Sequence, residues 1–300
     1  MSLSINVVAP ASHTDPKIVS EAANALESLG IDVRIPDSLQ APSRYLAGSV
    51  AHRLAGLYDA YADPDTQAVW AVRGGYGCAQ LIEHIDWTRL PPKPLIGYSD
   101  ISVLLDQCHR HGLPAIHGPV MKEAALLGHE SPEQCSVAKR QIEELRGLLS
   151  GSEPEAFPLT RVGGEQLAGE HAEEGPVVGG NLMTLACVAG TSAGFFAPPG
   201  ALVILEDVGE PYYRLERALW QLVHSGAFDR ASAICLGTFE GCTPYGDASL
   251  EAIFADVLQP LGVALYSGLP VGHGLHNRPW RYGAMGRIAK GYLHWEPRPS

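Results

Sequence analysis

Ile5-Asn6-Val7-Val8-Ala9 is a mostly apolar run of strand length, stopped by Pro10. Asp15 and Pro16 make an N-cap and first-turn pair. Ile18, Ala22, Ala25, Leu26 and Leu29 then recur at helical spacing, and Gly30 is placed to end the helix. Ile31, Val33 and Ile35 alternate as a short second strand. A second helix is expected from Ser49 to Tyr61. Ala68-Val69-Trp70-Ala71-Val72 is a continuous apolar strand run that meets Arg73-Gly74-Gly75-Tyr76-Gly77, with another helix expected from there to Ile85. Leu95 to Tyr98 reads as the next strand, Asp100 to His109 as a helix, and Leu113 to His117 as one more strand. Alternating strands and helices with near-continuous apolar strands predict a parallel sheet covered on both faces. Ligands in such a sheet sit beyond the carboxyl ends of the strands.

The pattern changes from Glu123 to Glu174, which is rich in Glu, Gln, Ser and Gly. A helix from Pro132 to Leu149 plus a connector is expected there. Regular patterns return at Val177. Ala201 to Leu205 and Ala233 to Leu236 read as strands, Tyr213 to Val223 and Leu250 to Leu258 as helices. Arg287 to Ala289 and Tyr292 to Trp295 form a closing hairpin with Lys290-Gly291 at its turn. The expected organisation is an N-terminal α/β domain over 1–125, a helix and connector over 126–175, and a smaller α/β C-terminal domain over 176–300.

Composition removes several classes of function. Of 300 residues, 46% are hydrophobic and 18% charged, and the net charge is −12. That is too apolar for a disordered chain. An acidic chain without a basic run repels phosphate backbones, so nucleic acid is not an expected partner. No apolar stretch reaches the ~18 residues of a membrane span. Met1 to Asn6 shows no basic and then apolar leader pattern, so a cytoplasmic protein is expected. Cys78, Cys108, Cys135, Cys187, Cys235 and Cys242 have no metal-ligand spacing; they read as reduced thiols, most of them buried.

Four constellations carry possible chemistry. Gly97-Tyr98-Ser99-Asp100 lies between a strand and a helix, where a serine is exposed above a helix N-terminus. Ser99 or Asp100 as a plain helix cap is the alternative. Arg73-Gly74-Gly75-Tyr76-Gly77 lets the backbone approach a ligand and donate N–H groups, or is simply a tight turn. Glu206 is the first polar residue after a strong strand, placed to orient an imidazole; Asp207 and Glu210 equally read as solvated turn acids. His273 lies between Gly272 and Gly274 on a loop, with room for a substrate, whereas His117 ends a strand and reads as a core or supporting residue. Serine, acid and histidine in this order are what a serine hydrolase needs: a hydroxyl, a base to deprotonate it, and an acid to fix the base.

At six segments the chain resembles the LD-carboxypeptidases, or muramoyltetrapeptide carboxypeptidases, bacterial serine peptidases that include the microcin-immunity peptidases. The segments are Val72 to Gly77, Ile96 to Ile101, Ile116 to Pro119, Gly179 to Leu182, Leu205 to Glu210 and Gly272 to Gly274, in the family's order along nearly the whole chain. The resemblance implies two α/β domains, the first similar to class I glutamine amidotransferases. It implies Ser99 as nucleophile, His273 as general base, Glu206 as orienting acid, and the Gly75 and Asp100 amides as oxyanion donors. It implies release of the terminal D-Ala from murein tetrapeptide, in cytoplasmic cell-wall recycling, by a homodimer. The cut bond joins D-Ala to the L-centre of diaminopimelate or Lys. No metal or other cofactor is required for that chemistry. Within the glycine loop, Arg73 and Tyr76 are the candidate substrate-binding residues; either Arg73 or the helix N-terminus after Ser99 grips the substrate's free carboxylate, and the alternative for Arg73 is a structural pairing with an acid of the second domain. The rival readings are the same chemistry on a peptidyl-nucleotide conjugate, an α/β-hydrolase esterase, and a non-catalytic small-ligand binder.

Overall fold

The computed structural model describes residues 3–162 and 173–296. The chain divides into two compact units, residues 1–152 with 278–281, and residues 153–277 with 282–300.

The first unit runs β1 (Leu3–Val8), α1 (Pro16–Ser28), β2 (Ile31–Arg34), α2 (Val50–Ala62), β3 (Ala68–Ala71), β4 (Leu95–Gly97), α3 (Ser102–Arg110), β5 (Ala115–His117) and α4 (Pro132–Leu149). The five strands are parallel in the order β2-β1-β3-β4-β5, and Trp280–Arg281 returns antiparallel beside β5. The run Ala68 to Val72 is buried throughout, as strands covered on both faces must be. Trp70 at its centre satisfies its ring N–H on the Pro119 carbonyl at 2.7 Å. Helix α1 begins at the expected Asp15, whose carboxylate accepts from Lys17 N, and it buries Val19, Ala22 and Leu26. Each large aliphatic side chain buried in this way contributes about 2 kcal/mol. The chain order reverses between β1 and β3. Their carboxyl ends, with that of β4, therefore frame the crevice in which ligands of such sheets bind.

The expected helix from the glycine loop to Ile85 does not form. Short 3-10 turns, Cys78–Gln80 and Ile82–His84, take its place, and Ile85 is already extended. Gly77 offers no side-chain cap, and so short a segment cannot offset helix nucleation.

The second unit contains β6 (Phe157–Pro158), β7 (Thr160–Arg161), β8 (Glu173–Asn181), α5 (Leu182–Cys187), β9 (Ala201–Val208), α6 (Tyr212–His224), β10 (Ala231–Glu240), α7 (Leu250–Leu258), β11 (Ala264–Gly272), β13 (Met285–Ala289) and β14 (Tyr292–Trp295), β12 being the return strand Trp280–Arg281. Its sheet is parallel over β8-β9-β10-β11 and antiparallel at both margins. Strand β9 outruns its apolar stretch and carries Glu206 and Asp207 inside the ladder, Glu206 opposite Asn181. Lys290 and Gly291, both with positive φ, close the expected hairpin. Cys78, Cys108 and Cys235 are buried, Cys135 and Cys242 half-buried, and none of the six cysteines is in a disulfide. Cys187 departs from the burial its apolar run suggests: it ends α5 and is exposed.

Candidate active site

The first group of candidate residues belongs to the first unit. Ser99 follows β4 with φ +63°, a left-handed conformation that costs a residue with a Cβ roughly 1–2 kcal/mol. The turn closes with Ile101 N–H donating to the Tyr98 carbonyl at 3.2 Å. Gly97 precedes it where a Cβ would lie 3.0 Å from the Ile101 side chain. Neither Ser99 nor Asp100 caps the following helix by its side chain, which sets aside the capping alternative. Asp100 is buried, and its carboxylate accepts from Cys78 N–H at 2.8 Å, fastening the elbow to the end of the glycine loop. Burial raises its pKa, against the pull of Cys78 and Arg53.

The glycine loop is built around this elbow. A Cβ on Gly74 would lie 2.8 Å from Ser99 Cβ and 2.9 Å from its Oγ. Gly75 has φ +108°, and a Cβ there would meet Ser12 Oγ at 2.5 Å. Ser12, just past β1, donates its N–H to the Gly74 carbonyl at 3.3 Å, and its Oγ accepts from Tyr76 N–H at 3.1 Å. Buried Arg53 donates to the carbonyls of Pro10, Gly48 and Gly77 and to Gln80, and so holds the loop from beneath. Among the described residues, no protein acceptor takes the Gly75 or Asp100 N–H. Arg73 donates to the His13 carbonyl at 3.1 Å. Tyr76 is exposed and meets Tyr45 edge-on.

The contact between Gly74 and Ser99 has a testable consequence. Gly74→Ala is expected to destabilise the protein by about 1–3 kcal/mol, the usual cost of overpacking. Adding Ser99→Gly removes the Cβ it strikes and should restore a large part of that loss. Denaturant unfolding of both single variants and the double variant measures the coupling; strictly additive effects would place the clash elsewhere.

A second group lies in the second unit. His273 follows the last residue of β11, and its Nδ1 is 2.7 Å from Glu206 Oε2. Glu206 is wholly buried, and its other oxygen, Oε1, has no protein donor. With the carboxylate facing Nδ1, the neutral ring carries its proton there and its lone pair on Nε2. Gly272 has φ +121°, and a Cβ there would come within 2.8 Å of Glu206 Oε2. The Gly272 N–H donates to Asn277 Oδ1 at 3.1 Å, which pins the histidine loop. A buried carboxylate set against one imidazole fixes the ring and stabilises its cationic form, which is what a general base requires.

Asp207 is not the solvated turn acid that one reading of its sequence allowed. It is buried and accepts from Asn181 Nδ2 and from the Met183 and Val208 amides. Burial pushes its pKa up to about 6, against those three donors and with the adjacent Glu206 adding to the rise. It braces the β8–α5 junction against β9. Glu210 is half-buried and pairs with Arg214 at 3.2 Å. His117 is fully buried, stacked on Trp280 and edge-on to Tyr98, a core position. Among the described residues, no group of three or more His, Cys, Asp or Glu is placed to hold a metal ion, and no helix is long and apolar enough to cross a membrane. Ser12, Asn181 and Asn277 join these groups through the fold. The only signal for Asn181 was its place in the Gly-Gly-Asn-Leu segment; Ser12 and Asn277 carry none without the fold.

Residues 5–118 match the N-terminal domain of LD-carboxypeptidases, and residues 174–288 match the C-terminal domain. The chain is 44% identical over 295 residues to a murein tetrapeptide carboxypeptidase of Pseudomonas aeruginosa, covering 97% of this chain and 94% of that one. It is 33% identical over 275 residues to a probable murein peptide carboxypeptidase of Bacillus subtilis, covering 90% and 83% respectively. The fold is that of the muramoyltetrapeptide carboxypeptidase from Oxalobacter formigenes, with a TM-score of 0.79 at 24% identity over 97% of each chain. It is also that of the microcin C7 self-immunity protein, with a TM-score of 0.83 at 20% identity over 100% of this chain and 97% of that one. The chain therefore belongs to the LD-carboxypeptidase family of serine-type hydrolases.

Proposed function

We propose that the protein hydrolyses the L,D-amide bond of murein tetrapeptide and releases the terminal D-Ala. The observation that carries this reading is Ser99, held left-handed at the end of β4 with a glycine against its hydroxyl. Ser99 Oγ attacks the carbonyl carbon of the L-centre, and His273 Nε2 takes its proton. The Gly75 and Asp100 amides receive the oxyanion, a service worth several kcal/mol in such sites. His273 then protonates the leaving D-Ala nitrogen, and water cleaves the acyl-serine with His273 again as base. Glu206 keeps the imidazole in its working tautomer throughout. The substrate is supported by two relatives, the murein tetrapeptide carboxypeptidase of Pseudomonas aeruginosa and the probable murein peptide carboxypeptidase of Bacillus subtilis. A role in recycling cell-wall peptides in the cytoplasm agrees with six cysteines that form no disulfide. A homodimer is carried over from the family resemblance alone.

The test is mass spectrometry of murein tetrapeptide incubated with the purified enzyme. Loss of a single D-Ala is expected, and a peptide with a D residue before the terminal D-Ala should stay intact. An uncut tetrapeptide beside a cleaved peptidyl-nucleotide conjugate would replace this substrate with the rival one.

A further inference from the structure

Residues 121–123 form a turn that is bonded to both strand ends of the elbow. The Lys122 N–H donates to the Val72 carbonyl at 3.1 Å, directly before Arg73. Glu123 Oε1 accepts from the Tyr98 hydroxyl at 2.5 Å, directly before Ser99. Lys122 and Arg73 are both half-buried. Among the described residues neither pairs with an acid: Arg73 has the His13 carbonyl, and the Lys122 ammonium has no hydrogen-bond acceptor. Burial lowers the Lys122 pKa, and the nearby Arg73 charge lowers it further, with only Glu123 opposing. Two like charges in a partly dry place are costly unless an anion joins them.

The position fits one particular anion. In a peptide, the terminal carboxyl carbon lies within about 4 Å of the preceding carbonyl carbon. Whatever grips it must flank the nucleophile. Arg73 Nε lies 3.8 Å from where a Gly75 Cβ would be, and Ser99 Oγ lies 2.9 Å from where a Gly74 Cβ would be. We infer that Lys122 and Arg73 together hold the free α-carboxylate of the residue that leaves, so that Lys122 helps to make the enzyme a carboxypeptidase. The inference rests on the proposed reaction and adds Lys122 to it. Arg73 supplies a planar fork, and Lys122 a point charge on the other side of the carboxylate.

The experiment compares kcat/KM for the tetrapeptide free acid and its C-terminal amide. Wild type should prefer the acid by about 10–100-fold, the span of a charge-assisted pair. Lys122→Met should slow cleavage of the acid far more than of the amide, mainly through KM, so the ratio falls by tenfold or more. Lys122→Arg should restore most of the ratio. Lys122→Gln is run beside Lys122→Met, so that a folding failure of one does not remove the comparison. An acid-to-amide ratio in folded Lys122→Met or Lys122→Gln equal to wild type overturns the inference and leaves the proposed function standing. Failure of wild type to release D-Ala from the acid or D-alaninamide from the amide sinks both.

Discussion

Ser99→Ala is expected to lower kcat on murein tetrapeptide by about 10³–10⁶-fold, the range seen when a serine nucleophile is removed. Stability should stay at the wild-type level, because alanine bears the same left-handed backbone cost as serine. Ser99→Gly should lose turnover to the same extent and unfold at higher denaturant. Relief of about 1–2 kcal/mol of backbone strain outweighs the added freedom of glycine in the unfolded chain, about 0.4–1 kcal/mol. The two variants separate chemistry from strain. Ser99→Ala with turnover within tenfold of wild type would take the nucleophile away from this residue. A Ser99→Gly protein less stable than Ser99→Ala would show that the left-handed turn is not strained. Strain kept at a functional serine and removable at no structural cost is the expected signature of a site retained for activity.

The strands of the first unit could be read from the sequence because buried parallel strands need no alternation: Ala68 to Val72 and Leu95 to Gly97 are unbroken apolar runs. Ser99 and the 73–77 loop followed, since in such sheets strand ends bear the ligands. The segment after Gly77 misled because Leu81, Ile82 and Ile85 have helical spacing while nothing caps the start. Strand β11 left no clear signal: Gly268 and Pro270 interrupt it, although it delivers His273. Glu206 reads as a strand-end acid, yet it lies inside the ladder with Asp207, because two consecutive acids carry no sign of burial in β9. Lys122 sits in a 3-10 segment without periodicity, so its place beside Arg73 depends entirely on a backbone bond fifty residues apart in sequence.

Glu206→Gln should reduce kcat by about 10³–10⁴-fold, as loss of the orienting acid does in serine triads. The side chain keeps its shape but presents an amide that donates in place of a carboxylate that only accepts. If its NH₂ faces His273 Nδ1, the imidazole must accept there and carry its proton on Nε2, where it can no longer take one from a serine. If its carbonyl faces Nδ1, the tautomer survives, but the imidazolium formed during reaction loses the opposing charge. Either orientation slows the chemistry, and KM should change little because the residue is wholly buried and touches no substrate. Stability should move the other way or hold. The native carboxylate has an oxygen without a protein donor in a site with no measurable exposure, and burying a neutral amide there costs less than burying a charge. Paired measurement of kcat and the unfolding midpoint decides the matter. Unimpaired turnover would show that Glu206 does not orient the base. A large drop in the midpoint would show instead that the charge holds the β9–β11 region together, and that its effect on turnover passes through the fold.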